Sequence, residues 1–368
     1  MALDASATKA GGGSRTGSLA GSGTTGGNST VDSYSASIGV SSFEIDLFGR
    51  LKNLSKAAFE QYLATDAGTR ATRLTLIGET ATAYATLAAD QDLLAVSQDT
   101  VASAERSLKL TQALNRVGLT GKLDVRSVET VLERARSDTQ AAITQVAQDR
   151  NALDLLVGAP VEPALLPVSL GALSPGIATL RVGLSSDALL RRPDVIQAEH
   201  SLIAANANIG AARAAFFPKI SLTSALGFAS SALSSLFSGG AFNWSVGPSA
   251  SLPIFGGTNR GNLHYSEAQR DLYVAQYEKA VQSAFREVAD ALARAGTIAR
   301  QQAAQAALVT ASEQSFRLSD ARYREGIDTF LTALDAQRTL YSARQTRIAT
   351  DLAAVTNRIT LYQVTGGE

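Results

Sequence analysis

Arg116-Val117-Gly118, with Leu123 following, returns later in the chain as Arg324-Glu325-Gly326, with Leu331 following. Reading outward from this doubled turn, Leu47-Phe48-Gly49 returns as Ile254-Phe255-Gly256, and the closing Gly158 returns as Gly366. Phe48 and Phe255 lie 207 residues apart, and the pairs Gly118/Gly326 and Gly158/Gly366 lie 208 apart, so the register holds to within one residue across more than a hundred residues. Each copy reads as strand, very long helix, tight turn, very long helix. Such a unit cannot bury its own apolar stripe and has to be bundled with copies of itself.

The prolines mark where helices can run. All eight fall between Pro160 and Pro253, leaving 1–159 and 254–368 free of them. Proline breaks helix interiors, so both blocks can form uninterrupted helices. The expected helices are 44–117, about 110 Å long at 1.5 Å per residue, then 120–157, 258–324 and 328–364. Val281, Phe285, Val288, Leu292, Ala295 and Ala299 form a heptad-like stripe. So do Ile348, Leu352, Val355, Ile359 and Tyr362. A 3.5-residue period means supercoiled helix packing. Between the copies, Arg191-Arg192-Pro193-Asp194 opens a separate helix that ends near Phe216-Phe217-Pro218.

Three segments alternate with period two. Tyr34, Ala36, Ile38 and Val40 stand against Ser33, Ser35, Ser37, Gly39 and Ser41. Ile220, Leu222, Leu226 and Phe228 stand against Ser221, Thr223 and Gly227, and Phe242, Trp244, Val246, Ala250 and Leu252 against Asn243, Ser245, Gly247, Ser249 and Ser251. This is strand patterning, apolar on one face and small and polar on the other. Aromatics sit at the outer ends of the strands. Residues 1–30 are Gly/Ser/Thr-rich and read as a weak strand plus a loop.

Composition excludes several functions. With 33 basic and 33 acidic residues, no net charge draws the chain to nucleic acid. Cysteine is absent, which rules out disulfides and thiolate metal sites, and two histidines, His200 and His264, are too few for a histidine-rich one. No metal, cofactor or catalytic residue is expected, and no enzyme. Gly21-Ser22-Gly23-Thr24-Thr25-Gly26 matches a dinucleotide-binding pattern and Asn28-Ser29-Thr30 a glycosylation acceptor, but low-complexity sequence produces such matches freely. No apolar run is long enough for a transmembrane helix.

Phe43-Glu44-Ile45-Asp46-Leu47-Phe48-Gly49-Arg50-Leu51, Arg191 to Val195, Gly210 to Pro218, Leu252-Pro253-Ile254-Phe255 and Tyr323-Arg324-Glu325-Gly326 through Gln337 together resemble the TolC-like outer-membrane efflux factors. The resemblance runs from about Val31 to Gly366 and is strongest to the lipoprotein branch that serves resistance-nodulation-division pumps. It implies a homotrimer in the Gram-negative outer membrane. Each protomer would give four strands to a twelve-stranded β-barrel, continued into the periplasm by an α-helical barrel. Partners would be a periplasmic adaptor protein, an inner-membrane efflux transporter and outer-membrane lipid, with no nucleic acid. Four strands cannot close a membrane barrel alone, and open edges are not tolerated in lipid, so the trimer that the resemblance implies agrees with the need for more than one chain. The expected segments are 1–47 for strands of the first repeat, 48–157 for its helical hairpin, 158–217 for a linker and equatorial-type helix, 218–256 for strands of the second repeat, and 257–368 for its hairpin. The family starts with an export signal, a lipid-bearing cysteine and a helix, and the counterpart of 185–217 in the first copy would fall mostly before Met1; the expectation is an N-terminally truncated chain.

The function expected is a passive exit duct for drugs or other small molecules. A protein-secretion duct and a structural coiled-coil protein without a pore are the alternatives. Leu222, Phe228, Phe242, Trp244 and Val246 are expected to face lipid or to stabilise loops at its rim; the core of a soluble β-structure is the competing reading. The turns at Gly118 and Gly326 are expected at the periplasmic tip. Leu331 and Asp335 are four apart and share a helix face, so a trimer would carry an apolar constriction and an anionic ring. By resemblance, polar links among Tyr323, Asp124 and Arg338 hold the tip closed. The plainer alternative pairs Asp335 with Arg338 on a solvated face.

Overall fold

The computed structural model describes residues 2–12, 29–173, 187–255 and 257–366. The glycine pattern at 21–26, Asn28 and Gly256 lie outside them. Two strands, β1 (Ala2–Gly12) and β2 (Ser29–Ile45), precede the helices α1 (Arg50–Arg116) and α2 (Lys122–Val157). Two single-turn helices, α3 (Leu170–Leu173) and α4 (Asp187–Leu190), lead to α5 (Pro193–Ala214). Strands β3 (Lys219–Ser230) and β4 (Phe242–Ser251) then precede α6 (Gly257–Arg324) and α7 (Phe330–Val364). The chain forms two compact units, one from residues 1–62 and 200–275, the other from 63–199 and 276–368.

In the first unit the strands form one antiparallel sheet in the order β1-β2-β3-β4. Its register aligns the alternation across β2, β3 and β4. Ile38 pairs with Leu226 and Leu226 with Trp244, so these residues share a face. Ser6 pairs with Ser35, and Ser221 with Ser249, on the opposite face, where their hydroxyls bond at 2.9 and 2.7 Å. Between Val40 and Phe43, β2 carries one residue more than β3 opposite it. This bulge keeps Phe43 and Ile45 in phase with Val40; without it both would turn to the polar face.

The expected helix from residue 44 begins instead at Arg50, because Glu44 and Ile45 pair with Ser221 and Ile220 in the sheet. The junction is tied by side chains. Arg50 donates from Nε and Nη2 to Glu44 at 2.8 and 2.6 Å, Lys219 Nζ lies 3.2 Å from the same carboxylate, and Asp46 accepts the Lys52 amide at 2.7 Å. That last bond satisfies one of the orphan amides of the helix start.

Gly227 sits where β2 and β3 approach closely. A Cβ there would lie 2.6 Å from the Ala36 carbonyl oxygen and 2.7 Å from Ser37 Cβ. Gly227→Ala should cost about 1–3 kcal/mol, as overpacking does. Gly247→Ala in β4, with nothing within 4 Å, should stay within about 0.5 kcal/mol. Denaturant unfolding of the two variants compares them.

In the second unit the core is built from small residues. Ala85, Ala88 and Ala89 of α1 pack with Leu170, Val355 and Ile359, joined by Ile348 and Leu352. The α7 stripe therefore enters the core as expected, except that Tyr362 is exposed and Leu361 and Val364 turn inward against Ala291. The α6 stripe is only half right. Val288 and Ala295 pack against α7, but Phe285 and Leu292 are exposed, and Ala284, Ala291 and Ile298 are buried instead. Alanine lets the helix backbones come close, which leaves the bulky neighbours outside. Arg192, read in the sequence only as part of a helix start, is a buried hub. It donates to Asp194 and Glu287 at 2.8 Å and to the Val364 carbonyl at 3.4 Å.

Candidate functional site

The turns at Gly118 and Gly326 share the same two closing bonds. Leu119 N donates to Leu114 O, and Ile327 N to Arg322 O, both at 2.9 Å. Gly118 N donates to Asn115 O at 3.1 Å, and Gly326 N to Tyr323 O at 3.0 Å. The glycines have φ of 78° and 71°. These are Schellman turns, which require a left-handed residue that glycine supplies without strain. The side chains that brace them differ. Asn115 Nδ2 donates to Thr120 O at 2.7 Å in the first, and Arg322 Nε to Asp328 at 2.6 Å in the second. Val117, Leu119, Leu123, Ile327 and Leu331 are all exposed at these turns.

Behind the second turn lies a small core. Tyr323 is 7% exposed and packs with Val128, Phe330, Ala333 and Leu334, with Leu108 and Leu114 beside them. Its ring meets Phe330 edge-on at 5.3 Å. Thr111, fully buried, donates its hydroxyl proton to Ser107 O at 2.9 Å, so the Tyr323 phenol donates to Thr111 Oγ1 at 3.1 Å.

The sequence-selected gate residues are not all joined within one chain. Asp124 accepts the Gly121 amide at 3.1 Å and caps α2. Leu331 is 68% exposed, and Asp335 lies exposed one turn along the same helix. Among the described residues, no hydrogen bond or ion pair links Tyr323 to Asp124 or Arg338, nor Asp335 to Arg338. The solvated pair offered as the plainer reading is therefore not formed. Sequence reasoning missed Thr111, whose only signal is a hydroxyl one turn from Leu108 and Leu114.

On the sheet, Phe228 meets Phe242 at 5.8 Å and Phe237 at 5.5 Å, both edge-on. Leu222 is half-buried, while Trp244 is 67% exposed and Val246 is exposed on the same face. The described residues hold no group that could bind a metal ion, and no described helix is long and apolar enough to cross a membrane.

Two carboxylates meet between α1 and α2. Burial, with the hydrogen bond and charge of Asp149, pushes Asp90 up to about 7. Gln145 engages one oxygen of Asp149 at 2.9 Å and the other is buried. The folded state thus holds a proton on Asp90 that the unfolded chain has released, so stability should fall as pH rises from about 4 to about 7 and level off above. Asp90→Asn should raise the melting temperature at pH 8 and leave it nearly unchanged at pH 5. Thermal melts at both values check the sign.

An apolar-faced strand set that a single chain leaves open, joined to paired helices too long for a compact core, defines the subunit of an outer-membrane exit duct. The chain belongs to the outer membrane efflux protein family, whose model matches residues 5–159 and 184–367. It is 44% identical over 343 residues to the solvent efflux pump outer membrane protein SrpC of Pseudomonas putida, covering 93% of this chain and 73% of that protein. It is 42% identical over 312 residues to the outer membrane protein OprJ of Pseudomonas aeruginosa, covering 84% and 65%. Among solved structures, CusC superposes with a TM-score of 0.88 at 36% identity, over all of this chain and 83% of that one. The open-state outer membrane channel MtrE of Neisseria gonorrhoeae superposes with 0.85 at 36% identity, over all of this chain and 80% of that one. The protein is the outer-membrane channel component of a tripartite efflux pump, extending into the periplasm.

Proposed function

We propose that three copies of this chain close one barrel and tunnel, and that the duct passes drugs or other small organic molecules. The observation that carries this is the apolar face shared by β2, β3 and β4, with Ile38, Leu226, Phe242, Trp244 and Val246 exposed in the lone chain, and a serine-rich face behind it. The strands of 1–47 and 218–256 form the barrel wall and contact lipid through Leu222, Phe228, Phe242, Trp244 and Val246. The hairpins of 48–157 and 257–368 form the tunnel, and 158–217 the linker with its equatorial-type helix. The exposed apolar residues at the Gly118 and Gly326 turns meet the periplasmic adaptor, which joins the inner-membrane transporter.

Relatives are named for solvents, toluene and antibiotics, which favours small-molecule efflux over protein secretion. The gate lies past the second tip, where three Leu331 form the constriction and three Asp335 the anionic ring. Asp124 and Arg338, unlinked within a chain, meet across protomers. The test joins planar-bilayer recording with light scattering of the purified protein in detergent. A trimer that conducts is expected. A conducting monomer, or a trimer that never conducts, overturns the reading; the latter result favours a structural coiled-coil protein.

A further inference from the structure

Beside the Tyr323 core, α1, α2 and α7 enclose a groove of about 590 Å³, within the size range of small-molecule sites. Its floor is apolar, from Leu93, Val131, Ala135, Ala141 and Ala142. Its hydroxyls are already spent: Ser97, Thr100 and Thr130 each donate to a carbonyl of their own helix at 2.8–2.9 Å. What remains is positive. Asp138 is engaged twice, by Arg134 at 3.2 Å and by the Tyr341 hydroxyl at 3.4 Å. Burial and the Asp138 charge push the Tyr341 phenol up, so it stays a neutral donor. Arg338 lines the groove, is exposed, and makes no ion pair among the described residues. Among the described residues of one chain, one cationic charge of the groove is therefore unbalanced.

Gln337 adds a second demand of the same kind. It is 7% exposed, lines the groove, and its Nε2 has no hydrogen-bond partner. A buried donor without an acceptor is costly to keep, and an acceptor drawn into the groove removes that cost. An apolar floor, an unbalanced guanidinium and an unused amide donor describe one ligand chemistry. We infer that this groove binds an amphipathic organic monoanion, its carboxylate or sulfonate held by Arg338 and the Gln337 amide and its apolar body laid along Ala135, Ala141 and Val131. The site lies within one chain and does not require the gate reading, although Arg338 serves in both; an occupant would withdraw Arg338 from any link across protomers.

The probe is 2-naphthoate, with uncharged 2-naphthamide as its isostere. Binding to the purified protein in detergent is read by saturation-transfer NMR, with a detergent-only blank. The naphthoate should bind at least tenfold more tightly than the amide. Arg338→Ser should weaken it at least fivefold, Gln337→Leu by a smaller factor, and Ala141→Trp should abolish it. Arg338 and Ala141 are exposed, so both variants keep the fold, and circular dichroism verifies that. No naphthoate binding, equal binding of acid and amide, or unchanged binding in Arg338→Ser overturns the site. Failure of the gate reading shows separately, as unchanged conductance.

Discussion

Arginine placed at Val246 should destabilise the assembled barrel by about 2–4 kcal/mol, if that position lies at mid-bilayer. Arginine at the neighbouring Ser245 should cost less than about 1 kcal/mol, because the proposed barrel turns that face to a wet lumen. The contrast is the strength of the test. The two residues are adjacent, both are exposed in the single chain, and they differ only in face: Val246 pairs with Ser224, and Ser245 with Ala225. A soluble β-core would penalise Val246→Arg as well, but its penalty would not depend on lipid thickness. Folding into bilayers of graded chain length measures the difference, and equal costs for the two arginines would remove the lipid assignment.

Opening of the tip is the second large effect expected. Tyr323→Phe combined with Arg338→Ser should raise single-channel conductance several-fold. Each change removes a polar link with little loss of packing. Phenylalanine keeps the ring against Phe330 and Val128 and loses the bond to Thr111, a net change of about 0.5–1.5 kcal/mol. Arg338 has no hydrogen-bond or ion-pair partner among the described residues, so an effect of its replacement on conductance would point to a partner on another protomer. Asp335→Ala should separately weaken block by multivalent cations, since a ring of three carboxylates attracts them more than an isolated one. Unchanged conductance and block would mean that Tyr323 is a core residue and nothing more.

Much of this was legible in the sequence because the repeat is written in residues with few conformational choices. The left-handed glycines at 118 and 326 and the proline-free blocks fix the turns and the helix lengths. The faces of β2, β3 and β4 followed from period-two alternation, which their pairing aligns. The bulge at Val40–Phe43 leaves one mark in the sequence, a change of parity from Ile38 and Val40 to Phe43 and Ile45, which the alternation ending at Ser41 does not reach. The α6 stripe misled for a physical reason: hydrophobicity ranks Phe285 and Leu292 above Ala284 and Ala291, whereas close helix approach selects for size. The tip residues could be chosen by position, but their bonds could not. Tyr323 turned out to be tied to Thr111, and the residue pairs that would cross protomers lie beyond what one chain can display.

The unequal bracing of the twin turns has a consequence for how the protein meets its surroundings. The first is held by an amide of Asn115, which ions in solution do not weaken. The second depends on Arg322 and Asp328, a partly exposed pair whose attraction is shielded as ionic strength rises. Saltier water therefore slackens one bend and spares its twin, so a molecule that is symmetric in sequence is lopsided in its response to brine.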